Sequence, residues 1–217
     1  MSLAIFDLDN TLLGGDSDHQ WGEFLIEKQL VDSDEYRRQN DRFYRDYKNG
    51  SLNIHAFLSF ALEPLSRFPI AELEILRQEF LQCKIAPLRL PKADALLQQH
   101  RSQGDDLLII TATNRFITGP IAEAMGVNDL LATEPEVVNG RYTGRVVDTP
   151  CFREGKVARL NTWLENYPGD LVGSYFYSDS ANDIPLLDKV DYPIAVDPDQ
   201  TLRIHAQAND WKIISLR

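Results

Sequence analysis

The 217-residue sequence predicts an α/β fold in which a parallel, Rossmann-like sheet has helices on both faces and carries an inserted helical unit. Two observations predict the sheet: short apolar runs of strand length recur along the chain, and amphipathic helical patterns separate them. A third predicts the insertion, because residues 21–83 have helical spacing and no convincing strand. The chain is long enough for one such core and a smaller attached unit.

Five apolar runs are predicted to be strands, because continuous apolar character is typical of strands buried on both faces. They are residues 3–6, 107–110, 175–177, 193–196 and 211–214. Helical patterns between them cover residues 91–100, 120–125 and 156–167. A central Asn-Gly pair among β-forming residues predicts a hairpin at residues 137–142.

The inserted segment predicts about four helices, since Asn49-Gly50 and Phe68-Pro69 interrupt its helical spacing. We therefore expect a core domain made of residues 1–14 and 86–217, and a helical cap domain made of residues 15–85. The two glycines at 14 and 15 suit a hinge between them.

Composition excludes several classes of function. A formal net charge of −11 disfavours nucleic acid and anionic membranes as partners. The two cysteines, Cys83 and Cys151, have no CxxC spacing, which favours free thiols in a reducing compartment. The sequence has neither a signal-peptide pattern nor an apolar run of membrane length, so we expect a cytoplasmic protein. It does not indicate an oligomeric state.

Polar residues follow the predicted strands at the edge of the sheet where open α/β folds bind ligands. The set comprises Asp7, Asp9 and Thr11, then Thr111 with the backbone amide of Ala112, then Lys156, and finally Ser178, Asp179 and Asp183. Two acids as close as Asp7 and Asp9 require a cation or a shared proton. Taken singly, each feature also fits a structural role, as a solvated acid pair, an ordinary helix cap or a solvated lysine.

Taken together, Asp7-x-Asp9-x-Thr11, Thr111, Lys156 and Ser178-Asp179-x3-Asp183 resemble the four motifs of the haloacid dehalogenase superfamily. The helical insertion after the first motif resembles the C1-cap members, subfamily IB. Within these the chain is similar to the phosphoserine-phosphatase-like branch, which includes histidinol-phosphate phosphatases. The resemblance implies the Rossmann-like core and the α-helical C1 cap that the patterns predict.

The resemblance also implies a phosphatase that depends on Mg²⁺. Asp7 would be the nucleophile and form an aspartyl-phosphate, and Asp9 would be the general acid and base. Thr111, Ala112 and Lys156 would bind the phosphate. The implied metal ligands are the Asp7 carboxylate, the Asp9 main-chain carbonyl and Asp179, with Asp183 acting through hydrogen bonds or a water.

Four residues are candidates for substrate specificity. Asp16 stands nine residues after Asp7, where phosphoserine phosphatases have an acid that contacts the substrate amine, and Asp18 is nearby. Trp21 is a candidate contact for a ring, and Arg153 a candidate second phosphate ligand. Hinge, helix-cap, cap-core and solvated roles remain open for these residues.

We expect a small phosphorylated metabolite that bears an amine. Histidinol phosphate comes first and phosphoserine second, because the second motif reads Thr-Ala-Thr-Asn where phosphoserine phosphatases usually have Ser-Gly-Gly. Transfer of phosphate to an acceptor other than water remains open. The alternative from another class is a non-catalytic phosphoacceptor or binding module, against which the helical insertion and Asp9 both argue.

Overall fold

The computed structural model describes residues 2–217. The strands are β1 Leu3–Phe6, β2 Asp106–Asn114, β3 Asp129–Val138, β4 Arg141–Val147, β5 Tyr175–Ser178, β6 Tyr192–Val196 and β7 Lys212–Ile214. Within the described residues these seven form one sheet, in the order β4-β3-β2-β1-β5-β6-β7. All neighbouring strands are parallel except β3 and β4. The predicted α/β class is confirmed.

Helices cover both faces of the sheet. They are α1 Ser17–Glu27, α2 Ser33–Lys48, α3 Ile54–Arg67, α4 Ile70–Phe80, α5 Pro91–Gln103, α6 Arg115–Ala124, α7 Glu154–Leu164, α8 Ile184–Leu187 and α9 Gln200–Ala208. Ala4 and Phe6 of β1 pack with α5, α6 and the inserted helices. Leu3 and Ile5 point the other way, into the core formed with α7, α8 and α9. None of the helices within residues 2–217 has the length and apolar character needed to span a bilayer.

The predicted hairpin is present, with one addition that the sequence did not indicate. Asn139 and Gly140 have φ values of 50° and 72°, as a two-residue hairpin turn requires, and Val138 pairs with Arg141. However, β3 is ten residues long, and its first half also pairs in parallel with β2. The hairpin therefore extends the main sheet at its edge.

The four predicted inserted helices are present as α1 to α4. Many of their apolar side chains join the core of the sheet domain. Trp21 of α1 packs edge-on against Phe80 of α4 and against Phe116 of α6, with ring centroids 5.1 and 5.5 Å apart. Packing thus continues from the insertion into the sheet domain, and the division at residues 14/15 and 85/86 stays a prediction.

Helix α6 begins five residues earlier than predicted. The side chain of Asn114 accepts from the Ile117 N–H at 3.4 Å and caps the helix there, so Pro120 lies inside it. Proline lacks the N–H that would bond to the Phe116 carbonyl one turn earlier. Arg77 of α4 donates its Nη1 to that carbonyl at 3.0 Å, which replaces the missing bond and joins the inserted helices to the sheet domain.

Candidate active site

The candidate site lies where the order of the strands reverses. The chain adds β2 and β3 on one side of β1, then β5 to β7 on the other, so a crevice opens beyond the carboxyl ends of β1, β2 and β5. These ends carry Asp7, Thr111 and Asp179. Helix α7 contributes Lys156. Four stretches that are distant in sequence therefore meet at one edge of the sheet.

The turn after β1 orients its two acids. Asp7 continues the extended backbone, and its N–H donates to the Tyr177 carbonyl at 2.9 Å. Asn10 has a φ of 58°, a left-handed conformation that asparagine tolerates, and its N–H donates to the Gly15 carbonyl at 3.0 Å. The chain folds back here, so Asp9 lines the same cavity as Asp7.

Lys156 joins two of the acids although it is buried. Its Nζ donates to Asp7 Oδ1 at 2.8 Å and to Asp183 Oδ2 at 2.7 Å. Burial opposes the charged lysine, but Asp183 and Asp7 outweigh it and raise the pKa of Lys156 above its ordinary value. For Asp7 the balance is different. Burial raises the pKa of Asp7 to about 7, against the opposing effect of Lys156, because several acids share one ammonium.

Replacing Lys156 with methionine is expected to lower the free energy of unfolding by about 3–5 kcal/mol at pH 8, because Asp7 and Asp183 lose the buried cation that they share. The loss should shrink at pH 5, where Asp7 is protonated. Urea unfolding at both pH values measures it, with exposed Lys189→Met as the control. Equal losses at the two pH values would contradict this electrostatic account.

Asp9 is held by both of its oxygens. Oδ1 accepts from the Ser17 N–H and Oδ2 from the Thr113 hydroxyl, each at 2.7 Å. Burial raises the pKa of Asp9 to about 6, with Asp16 adding to the shift and the hydrogen bonds opposing it. A fixed carboxyl group with a pKa near neutrality suits a group that gives a proton and later takes one.

Thr11 connects the motifs after β1 and β5. Its hydroxyl oxygen lies 3.2 Å from Asp7 Oδ2 and 3.3 Å from Asp179 Oδ1, and it accepts from the Asp179 N–H at 3.1 Å. Burial raises the pKa of Asp179 well above its ordinary value, and the neighbouring Asp7 and Asp183 raise it further. Three acids thus surround a single lysine.

A cavity lies between the sheet edge and the inserted helices. Its lining residues are Asp7, Asp9, Thr111, Ala112 and Thr113 from the sheet, and Asp16, Asp18, His19, Asn40, Phe43, Tyr44, Tyr47, Leu52, Ile54 and Phe57 from the insertion. The insertion therefore contributes two acids, and most of its other lining side chains are apolar or aromatic. None of these lining residues, all within the described chain, is arginine or lysine.

Comparison with known proteins decides the family. A model of haloacid dehalogenase-like hydrolases matches residues 4–188, which is most of the chain. The chain belongs to the haloacid dehalogenase-like hydrolase family. This confirms the family predicted from the motifs.

Three proteins that are similar to this haloacid dehalogenase-like hydrolase are one named relative and two solved structures. It is 45% identical to a histidinol-phosphatase of Neisseria meningitidis serogroup C (strain 8013), over 100% of this chain and 99% of that one. A solved protein of unknown function from Bordetella pertussis Tohama I superposes with a TM-score of 0.93 at 45% identity, covering 100% and 99% of the two chains. A phosphoserine phosphatase, solved as a phospho-aspartyl intermediate analogue, has a TM-score of 0.73 at 18% identity, covering 100% and 93%, and supports the fold alone.

Most of the predicted site residues of this hydrolase come together. Contacts link Lys156 to Asp7 and Asp183, and Thr11 to Asp7 and Asp179. Asp7, Asp9, Thr111 and Ala112 line the cavity, and so do Asp16 and Asp18 from the insertion. Asp16 is also the helix cap that remained open as an alternative, since its carboxylate accepts from the His19 N–H at 2.8 Å.

The structure does not support two predicted contacts with the substrate. Trp21 is 2% exposed and packs between Phe24, Phe80 and Phe116, away from the cavity lining, because its position on α1 faces the sheet domain. Arg153 lies outside the cavity lining. Its Nε donates to Asn182 Oδ1 at 3.0 Å, and its Nη2 donates to the Gly50 carbonyl of the insertion.

Arg153→Ala is expected to lower kcat/KM about 5- to 30-fold, because Arg153 joins the insertion to Asn182, the neighbour of Asp183. Asn182 makes a second contact there, donating its Nδ2 to the Tyr47 carbonyl at 3.3 Å. Steady-state kinetics measures the effect, with exposed Arg141→Ala as the control. Wild-type kinetics in Arg153→Ala would show that this contact does not position the site.

Sequence reasoning missed several residues of the site. Thr113 lies two residues beyond Thr111, and its hydroxyl donates to Asp9, but the sequence pattern predicted no role for it. Asn40, Phe43 and Phe57 line the cavity from α2 and α3. The helical spacing of Phe43 and Phe57 predicted burial, and nothing in that spacing separates a cavity wall from a core.

Proposed function

We propose that this hydrolase is a phosphomonoesterase that requires Mg²⁺ and forms an aspartyl-phosphate on Asp7. The observation that carries the proposal is the convergence of buried groups around Asp7: the Lys156 ammonium is 2.8 Å from its Oδ1, and Asp9 lines the same cavity. A carboxylate beside a fixed cation and an oriented acid suits attack on a phosphate ester.

In this proposal Asp7 attacks phosphorus in line, and the bond from phosphorus to the ester oxygen breaks. Asp9 gives its proton to the leaving alkoxide and then takes a proton from the water that hydrolyses the aspartyl-phosphate. Its pKa of about 6 allows both states near neutral pH. Thr111, the Ala112 N–H and Lys156 hold phosphoryl oxygens while negative charge is redistributed.

The donor set fits Mg²⁺. Carboxylate oxygens of Asp7 and Asp179 approach the same Thr11 hydroxyl from two strand ends, and Lys156 alone does not compensate the acids around it. Mg²⁺ prefers oxygen ligands and keeps several waters. We propose Asp7, the Asp9 carbonyl and Asp179 as ligands, with Asp183 acting through hydrogen bonds; the bound ion would supply positive charge to the phosphoryl oxygens.

The cavity favours an amine-bearing ester that lacks a carboxylate. Asp16 and Asp18 provide negative charge beside the reacting end, and the lining residues described above include no cation from the insertion. Phosphoserine carries a carboxylate that this lining would repel. Histidinol phosphate carries an ammonium and an apolar-faced ring, and a relative with 45% identity over the full length is named a histidinol-phosphatase. We propose it as the substrate.

The proposed division into core residues 1–14 and 86–217 and cap residues 15–85 gives each part a role. The core would hold the phosphate, and the cap would select the leaving group. The cavity supports this division, because its aromatic lining residues come from residues 15–85 and Asp7, Asp9 and Thr111 come from the proposed core.

A phosphate-release screen with Mg²⁺ tests the substrate. We expect kcat/KM for histidinol phosphate to exceed that for phosphoserine by at least about a hundredfold, since the latter brings an unpaired carboxylate into an acidic cavity. Phosphocholine and sugar phosphates complete the panel. A preference for phosphoserine or for sugar phosphates would contradict the proposed selection of an amine.

A further inference from the structure

One carboxyl group in the cavity has no role in the chemistry proposed above. Asp18, in the first turn of α1, is 7% exposed and lines the cavity. Its Oδ2 is fully buried and has no hydrogen-bond partner among residues 2–217. A buried acceptor without a donor is costly, and it is uncommon where no ligand or other function explains it.

The neighbours of Asp18 make its charge more costly still. Burial raises its pKa well above the ordinary value, and the two charged groups that act on it, Asp16 and Asp9, are also acids. Asp16 already accepts from the His19 N–H, and Asp9 accepts from Ser17 and Thr113. Asp18 is therefore the acid of this group that remains free to receive a donor from a ligand.

The residues that line the cavity with Asp18 indicate what kind of group it would meet. Asp18 and Asp16 both come from the first turns of the insertion, and the other lining residues from α2 and α3 are mainly apolar or aromatic. The walls include Phe43, Tyr44 and Phe57, whose flat faces suit a planar group.

We propose that Asp18 is a specificity-determining residue that accepts a hydrogen bond from the N–H of a planar nitrogen heterocycle in the substrate. The inference rests on the proposed phosphatase function and adds the recognition of a ring to it. Asp16 would be left for the amine.

The inference predicts a cost to stability in the free enzyme. Because the pKa of Asp18 is raised in the folded state, its contribution to stability is present below the unfolded pKa and is lost as pH rises through the folded one. Asp18→Asn removes this loss. We expect its melting temperature at pH 7.5 to exceed that of the wild type by about 3–6 °C, with a smaller difference at pH 5.

Kinetics with two matched substrates tests the inference. Phenylalaninol phosphate has the amine and a ring of similar shape but no ring N–H. For the wild type we expect kcat/KM to favour histidinol phosphate by at least about a hundredfold. Asp18→Asn should reduce this ratio about tenfold or more, since it weakens a hydrogen bond to a charged acceptor. Asp34→Asn, an exposed change of the same kind in α2, should keep the ratio.

Each outcome separates the inference from the proposed function. Phosphate release from both substrates at equal rates by the wild type would leave the phosphatase standing and overturn the role of Asp18. An unchanged ratio in Asp18→Asn would overturn it as well. Release from neither these nor other phosphomonoesters would overturn the proposed function, and the inference with it. Inhibition by histidinol gives a second readout, because its inhibition constant should rise in Asp18→Asn.

Discussion

Replacing Asp7 with asparagine is expected to lower kcat by at least about a thousandfold without unfolding the protein. The amide has nearly the same shape and can still accept from Lys156, but it is not a nucleophile for phosphorus. The fold should tolerate the change, because burial already raises the pKa of Asp7 and so disfavours its charge. Phosphate release and thermal melting are the two measurements.

The control for Asp7 is Asp34→Asn, which removes one exposed carboxylate and should leave both measurements unchanged. A melting temperature for Asp7→Asn at or above that of the wild type, together with lost turnover, fits a chemical role. Near-normal turnover would remove Asp7 from the mechanism. Lost turnover in an unfolded protein would instead show that Asp7 is needed for folding.

Removing divalent metal with EDTA is expected to reduce phosphate release by at least about a thousandfold, and added Mg²⁺ should restore it. The reason is the charge of the site: Asp7, Asp179 and Asp183 have Lys156 as their shared buried cation. Mg²⁺ should also raise the melting temperature of the metal-free protein, because it would bind the folded state alone.

The metal assignment has its own matched pair of variants. Asp179→Asn should lose most of the Mg²⁺-dependent rise in melting temperature, and the exposed Asp188→Asn should retain it. Full activity in a metal-stripped sample would refute the requirement for metal. A normal thermal response in Asp179→Asn would place the ion elsewhere.

The core of the site could be predicted from sequence because Asp7, Thr111 and Asp179 sit at or near the ends of apolar strands, and the resemblance in motifs added Lys156 of α7. Parallel strands carry such ends to one edge of a sheet whatever their separation in the chain. The carboxylates Asp7 and Asp179 illustrate this, since 172 positions apart in the chain they approach one hydroxyl, that of Thr11. To predict this part of the site, it was enough to locate where these short strands end.

The insertion was harder to predict, because helical spacing shows which side chains are buried and not what buries them. Trp21 and Phe43 both follow that spacing, yet one packs against Phe116 of the sheet domain and the other lines the cavity. The same limit applies to Arg153. Its contact with Gly50 depends on how the insertion docks, and no local pattern encodes that docking.

Trapping the covalent intermediate tests the central claim most directly. Borohydride reduces an acyl phosphate to an alcohol, so an aspartyl-phosphate formed during turnover of histidinol phosphate becomes homoserine, which peptide mass spectrometry locates. We expect homoserine at position 7 in the wild type and at no position in Asp7→Asn. Turnover at the normal rate with aspartate retained at position 7, or with reduction at another carboxylate, would contradict the account.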